Sequence, residues 1–458
     1  MEFLKDVLRR LKPGPGEVKS MKAFVKKLLG VAGEVCSVYG ARPMLCGSVA
    51  KGTWIKPEVD LFLLFPASLP EEKLEDYGLR AGKEIFKEIG GRYHISYSEH
   101  PYVRGVVRFG ERSYSLDVVP CYDLPPGKVK SSVDRTPHHA RFVIERIKGL
   151  EDEVRLLKAF CEAAGCYGAE PRVGGFSGYL CELLVIKYGK FLSVVENASS
   201  WKPGTVITLT GPPVKKFRSP LVFVDPVDPK RNVAAAVSET GFFKFVKACN
   251  LFLSDPSERF FYPEPPVPYT MFDVKKAVKS RGTRMYIIRF PRPEGQEDAV
   301  YLQMKKCVSR LKRILEREGF ELVGAEFWLG PECAIFLEAG RWQLPAVKTV
   351  VGPSIYSGHA AEFLTGSGAE RFVVRDGKWV GEYRRDRRLL MDYLTWIFSK
   401  PAGELVRLGI PKKVAEAIAA GCEVTSGSDA VRTVSKLPPE FGSFLREYFE
   451  RDLNPVVK

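Results

Sequence analysis

The sequence predicts an α+β protein of several domains, and three observations carry that expectation. The chain has 458 residues, which fits two to four domains at roughly 100–200 residues each. The spacing of apolar residues changes along it, from helical to strand-like and back. Proline clusters interrupt it at Pro125, Pro126 and Gly127 and again between Phe260 and Tyr269.

Composition narrows the class. Hydrophobic residues make up 45% and charged residues 27%, the balance of a folded globular chain rather than a disordered or collagen-like one. The longest tight apolar run, Leu61–Phe65, is far too short to span a membrane, so no membrane partner is expected. The N-terminal stretch is broken by acids and reads as a helix, not a signal peptide. The ten cysteines include no CxxC pair, and Cys46, Cys181 and Cys249 have apolar neighbours. They read as reduced, buried thiols of a cytoplasmic protein, without a zinc site. Lys+Arg 70 against Asp+Glu 55 leaves a net charge of +15, spread over every segment. A polyanion would therefore lie along the whole molecule.

The elements follow in order. Residues 1–40 look helical, with Val25, Leu28, Leu29, Ala32 and Val35 on one face. Val59–Phe65, ended by Pro66, reads as a buried central strand. A helix over Pro70–Ile89 and a hairpin of Tyr102–Phe109 and Ser113–Val119 complete an α/β unit, residues 1–127. A helical region follows, residues 128–258. One helix opens at Glu151, Asp152 and Glu153, where acids suit the positive helix end. Ser177 caps a second helix, Gly178–Tyr188, and Ser238–Leu253 is a third. Two short strands fall between Pro203 and Pro229. After the Phe260–Tyr269 boundary, Met285–Phe290, Tyr301–Arg317, Val323–Leu329 and Cys333–Glu338 read as βαββ, a small ferredoxin-like or RRM-like sheet with helices on one side, in residues 259–345. Residues 346–458 read as a mainly helical tail.

The chemistry concentrates in Cys46–Pro66. Gly47 and Ser48 make a small-residue turn that would let a phosphate approach, with Lys51 close by. Glu58 and Asp60 stand two apart at the start of the buried strand, so both face one side. Two such carboxylates repel and lose hydration unless a cation sits between them. Magnesium suits oxygen ligands and keeps positions open for phosphate. Asp117 is a lone acid in a strand that otherwise looks buried. If that strand lies beside Val59–Phe65, three carboxylates could hold two metal ions for in-line nucleotidyl transfer.

These features resemble the nucleotidyltransferase superfamily typified by DNA polymerase beta, and within it the archaeal, class I CCA-adding enzymes (tRNA nucleotidyltransferases). The resemblance rests on GSVAKGTW (Gly47–Trp54), EVDLFLLFP (Glu58–Pro66), EHPYVRGVV (Glu99–Val107) and DVVPCY (Asp117–Tyr122). It continues through SVDRTPHH (Ser132–His139), IKGLEDEVRLLK (Ile147–Lys158), YGAEPRVGGFSGYLCELL (Tyr167–Leu184) and VDPVDPKRNVAA (Val224–Ala235). It covers about half the chain in collinear order, and the later half is similar only in outline.

The resemblance implies a polymerase-beta-like nucleotidyltransferase head (1–127), a helical neck (128–258), and a tRNA-binding body (259–345) and tail (346–458). It implies that Glu58, Asp60 and Asp117 are catalytic and bind Mg2+, and that Ser48, Lys51, His139, Lys158 and Tyr167 contact the triphosphate. The family usually has Arg where Lys51 stands, and Lys keeps the charge but loses the bidentate fork. Arg231 matches the arginine that reads the incoming base. The implied activity is addition of C, C and A to the 3′ end of tRNA from CTP and ATP without a nucleic-acid template. The implied partner is the acceptor stem and top half of tRNA, bound by a homodimer. Arg310, Lys312, Arg313, Tyr356 and Trp379 suit backbone and shape recognition of RNA. Tyr383–Arg388 reads as a solvated or RNA-facing basic run. A poly(A)-type or oligoadenylate-type polymerase, or a catalytically silent RNA-binding protein on the same scaffold, are the alternatives; the three retained carboxylates weigh against the silent one.

Overall fold

The computed structural model describes residues 2–97, 100–263, 267–366 and 368–450. Glu99 of the EHPYVRGVV stretch, and Pro265 and Pro266 of the proline-rich boundary, lie outside them. Contacts divide the chain into two units, Met1–Glu264 and Pro265–Asp452.

The first unit opens with α1 (Phe3–Leu11) and α2 (Pro15–Val38). Pro15 opens α2, and the Glu17 carboxylate reaches back to accept from the Gly14 N–H at 2.7 Å. Next come β1 (Arg42–Cys46), the single turn α3 (Gly47–Ala50), β2 (Glu58–Pro66), α4 (Glu71–Ile89), β3 (Gly91–Tyr97), β4 (Pro101–Phe109) and β5 (Arg112–Asp123). The strands form one sheet in the order β1-β2-β5-β4-β3, with β2 and β5 parallel and the other pairs antiparallel.

Alternation along β2 divides its side chains between two faces. Val59, Leu61, Leu63 and Phe65 pack under α2 and α4 against Phe24, Leu28, Ile85 and Phe86. A Cβ at Gly82 of α4 would come within 2.7 Å of Val103, so this glycine lets the helix settle onto the sheet. On the other face, Phe62 and Leu64 pack with Cys46, Cys121 and Ala140. Glu58 and Asp60 share that second face, at the open end of the sheet.

Beyond the sheet run α5 (Thr136–Ile144), α6 (Glu151–Ala163), α7 (Gly178–Tyr188), α8 (Phe191–Ala198), β6 (Thr205–Ile207), β7 (Leu221–Phe223) and α9 (Glu239–Ser254). Ser177 caps α7, accepting from the Leu180 N–H at 3.2 Å, and Ser238 caps α9, accepting from the Gly241 N–H at 3.0 Å. Their shared core is rich in aromatic rings, with Phe160 against Phe191, Phe245 and Phe252. Leu4 and Val7 of α1 belong to this core.

The second unit shows the expected βαββ order: β8 (Arg284–Pro291), a helix at Glu297–Glu318, β9 (Glu321–Leu329) and β10 (Glu332–Arg341). Two expectations are corrected. Helices cover both faces of this sheet, not one. Ile288, Ile335 and Leu337 pack under Glu297–Glu318, while Ile287, Ala334 and Phe336 pack under helices at Met271–Arg281, Gly427–Val434 and Pro439–Glu450. The near-continuous apolar runs of β8 and β10 are the reason, since a strand buried on both faces does not alternate. The tail, moreover, is not mainly helical at its start. β11 (Val347–Ser354), β12 (Arg371–Arg375) and β13 (Lys378–Arg384) form a separate antiparallel sheet in the order β11-β13-β12. β14 (Glu423–Ser426) joins the larger sheet as its edge, beside β8. Nine of the ten cysteines are buried and all ten are free. No described helix is long and apolar enough to cross a membrane.

Candidate active site

The parallel pairing of β2 and β5 sets Asp60 directly opposite Asp117. Glu58 lies two residues before Asp60, so all three carboxylates share one sheet face. Together they line an open cavity of about 980 Å³. Asp117 is held by Arg104, the residue opposite it on β4, in a two-pronged ion pair at 2.6 and 2.7 Å. The Arg104 guanidinium is pushed further up by that pairing, despite some burial.

Among the described residues Asp60 has no such partner. Burial, and then the neighbouring Asp117, push its carboxyl up to about 6, against the pull of Lys51. A carboxylate in this state calls for another cation. Gly47 makes room for it: the residue sits at φ +64°, and a Cβ there would lie 1.7 Å from Asp60 Oδ2. The GS turn therefore admits the carboxylate itself. Three hard oxygen donors on one face, of which only Asp117 has an ion pair among the described residues, fit a magnesium site. Their oxygens are not gathered as tightly as those of Glu71, Glu75 and His100, whose ligand atoms all lie within 4.8 Å of one another. That second grouping, at α4 and the start of β4, does not include the three acids.

Four of the other predicted residues, Lys51, Lys158, His139 and Arg231, fall into two linked networks, both within the first unit. The first centres on Glu182 of α7, whose side chain is 1% exposed. Lys51 Nζ lies 2.7 Å from its Oε2, and Thr53 donates to its Oε1 at 2.8 Å. Lys158 Nζ sits 3.5 Å from Oε1 and also donates to the Thr53 hydroxyl at 3.2 Å. Burial pushes the Glu182 carboxyl up, but Lys51 and Lys158 together more than offset this and hold it below the usual range. Lys158 is shifted down by its burial, with Glu182 opposing. Tyr167 stands beside this group. A Cβ on Gly178 would be 3.1 Å from the Tyr167 hydroxyl and 3.7 Å from Lys158 Nζ. Burial holds the Tyr167 phenol protonated well above its usual range.

The second network centres on Asp225, just after β7 and fully buried. Its Oδ2 meets His139 Nε2 at 2.9 Å and Arg231 Nη1 at 2.9 Å. Its Oδ1 accepts from the Tyr179 hydroxyl at 3.3 Å and the Val227 N–H at 3.0 Å. Burial opposes ionisation, but these partners hold the Asp225 carboxyl at about 2. His139 is shifted down, chiefly by burial and against the pull of Asp225. Tyr179 joins the two networks. Its ring stacks on His139 with centroids 4.1 Å apart, and Lys51 Nζ lies 5.7 Å from its centroid.

The structure thus brings Lys51 and Lys158 together, and His139 and Arg231 together. Ser48 lies in α3, immediately after Gly47. His138, the neighbour of His139, donates from Nε2 to the Leu124 carbonyl instead, at 2.8 Å. Sequence reasoning missed Arg104, Glu182, Asp225 and Tyr179. The signal for the two acids was present: each is a lone acid inside an otherwise apolar or proline-bounded run.

Comparison with known proteins adds an independent finding. Residues 152–262 match the family model for the second domain of tRNA nucleotidyltransferase, and residues 281–427 that for the C-terminal domain of CCA-adding enzyme. A CCA-adding enzyme of Methanothermobacter thermautotrophicus is 36% identical, over 98% of this chain and 97% of its own length. One of Archaeoglobus fulgidus is 39% identical, over 82% and 85% respectively. A solved structure of the polymerase core of TRAMP, an RNA surveillance complex, is also similar, at a TM-score of 0.40 and 14% identity over 57% of this chain and 86% of that one.

Proposed function

The chain belongs to the CCA-adding enzymes, and from that footing we propose how its residues carry out the reaction. The activity is addition of CCA to the 3′ end of tRNA, with CTP and ATP as substrates. The observation that carries the assignment to this site is the register of Asp60 against Asp117, with Glu58 two residues earlier on the same face.

In this reading Glu58, Asp60 and Asp117 would hold magnesium, which when bound would supply two-metal chemistry, lowering the pKa of the tRNA 3′ hydroxyl and stabilising the departing pyrophosphate. The chain's own residues do the rest. Lys51 has three N–H donors, so its bond to Glu182 leaves donors for the triphosphate, whereas Lys158, which reaches Glu182 and both the hydroxyl and the carbonyl of Thr53, exchanges one of these partners to meet it. Tyr167 offers a hydroxyl that stays protonated, and Ser48 a second one, beside the metal-binding carboxylates. His139 closes the triphosphate end, and Arg231 presents its guanidinium to the incoming base. Holding these groups in place before the reaction supplies much of the rate.

Residues 1–127 act as catalytic head, 128–258 as nucleotide-binding neck, and 259–345 and 346–458 as tRNA-binding body and tail. A cytoplasmic homodimer belongs to the same proposal. The test uses tRNA transcripts lacking CCA, ending in C, or ending in CC. Wild-type protein completes each to CCA and stops, whereas Asp117→Ala adds nothing. A long A tract on any substrate, or full activity of Asp117→Ala, overturns the assignment.

A further inference from the structure

Among the described residues, Asp225 is the one fully buried carboxylate that touches both His139 and Arg231 of the proposed nucleotide site. An ionised carboxylate has about four acceptor positions. Here four donors fill them: His139 from α5, Tyr179 from α7, and Arg231 and the Val227 N–H from the loop after β7. The loop itself is pinned, because the Asp225 N–H donates to the Arg231 carbonyl at 3.1 Å. Arg231 keeps 36% of its side chain exposed, while Asp225 beneath it has none. The arginine is thus anchored at one nitrogen with the rest of its fork towards solvent.

We propose that Asp225 is a positioning residue that couples base selection by Arg231 to the seating of the triphosphate by His139. The inference rests on the nucleotide roles proposed for those two residues. A carboxylate is required because every donor around it needs an acceptor. Asparagine has nearly the same shape but turns one acceptor oxygen into an NH2 group. That group would face either the His139 and Arg231 donors or the Tyr179 and Val227 donors. A merely structural carboxylate would affect stability alone. A positioning carboxylate must also affect discrimination between nucleotides, through Arg231.

The test measures kcat/KM for CTP on tRNA lacking CCA and for ATP on tRNA ending in CC, together with misincorporation of each nucleotide at the other's step. Full-length wild type, Asp225→Asn, Arg231→Ala and the double variant are compared, with melting followed in parallel. Asp225→Asn is expected to lower kcat/KM at least tenfold, and to lower discrimination by a similar factor. On the Arg231→Ala background it should change discrimination less than twofold, because contacting residues in one network are not additive. Discrimination within twofold of wild type in folded Asp225→Asn, or effects of the two changes that simply multiply, overturns the proposal. Should Asp225→Asn fail to fold, the cycle of His139→Ala and Arg231→Ala decides. Discrimination effects of these two that depart from simple multiplication by threefold or more support the coupling, and multiplicative ones overturn it. Wild-type protein that adds no CCA would instead sink the functional reading, a result distinct from either of these.

Discussion

Replacing Glu182 by Gln removes one negative charge from between two lysines and changes little else in shape. The glutamine oxygen can accept from Lys51 or from the Thr53 hydroxyl but not from both, because they donate to different oxygens of Glu182. The larger loss is charge compensation. Lys51 and Lys158 are 9% and 5% exposed, and removing one partner of a buried ion pair costs about 3–5 kcal/mol. An upper bound comes from proton loss. A lysine that titrates near 10.5 when unfolded can be neutralised for about 5 kcal/mol at pH 7 and about 2 kcal/mol at pH 9. The variant should therefore lose about 3–5 kcal/mol at pH 7, and at most about 2 at pH 9. The sign is fixed by linkage: in the variant the unfolded chain binds more protons than the folded one, so raising the pH stabilises the fold. Hydrogen exchange of peptides from α6 and α7 reads this directly, since 3 kcal/mol is roughly a 150-fold acceleration. Replacing all three groups together, with Glu182→Leu, Lys51→Met and Lys158→Met, should restore much of the protection. A loss under about 1 kcal/mol at pH 7, unchanged at pH 9, would refute the reasoning.

Three further outcomes follow from the same geometry. Arg104→Met leaves Asp117 without its ion pair beside an already strained Asp60, so the variant should gain more thermal stability from added Mg2+ than wild type does; an equal gain in melting temperature would show that Arg104 does not compensate the site. Asp225 has its carboxyl held at about 2 against an ordinary 3.8, which corresponds to roughly 2 kcal/mol of stability. That contribution is present above about pH 4 and fades as the pH falls towards 2, so acid unfolding should be shallower over this window in Asp225→Asn than in wild type, as followed by circular dichroism. Binding of tRNA should weaken steeply as salt rises from about 50 to 200 mM, because a charge of +15 acting on phosphates releases counterions; affinity flat across that range would exclude an RNA substrate held through its backbone.

Patterns that depend on a local period were legible in the sequence. The apolar run of Val59–Phe65, the caps Ser177 and Ser238, and the order of the later βαββ segment each follow from a local pattern that one strand or helix imposes. β1 was not legible, because Arg42–Cys46 is short and carries a proline, which reads as an edge or a turn. Nor were the tail strands, since β11 and β12 are half exposed and show no clean alternation. The site divides in the same way. Glu58 and Asp60 announce themselves by two-residue spacing, and Asp117 by being an acid in an apolar strand. Which cation faces which acid is a matter of tertiary register. Arg104 meets Asp117 because β4 and β5 pair at that step, and Glu182 meets Lys51 across 131 positions of sequence. A lysine that looks like a solvated charge in isolation becomes a buried one only when a distant helix supplies its counter-ion. The same holds for His139, whose neighbour His138 has an identical ring and nearly identical surroundings in sequence. What separates the two is Asp225, and it acts across 86 residues. The charged interior of this protein is therefore a product of assembly: Glu182 and Asp225 are stable there because the fold delivers donors to them, and Lys51, Lys158, His139 and Arg231, proposed to meet the nucleotide, are among those donors.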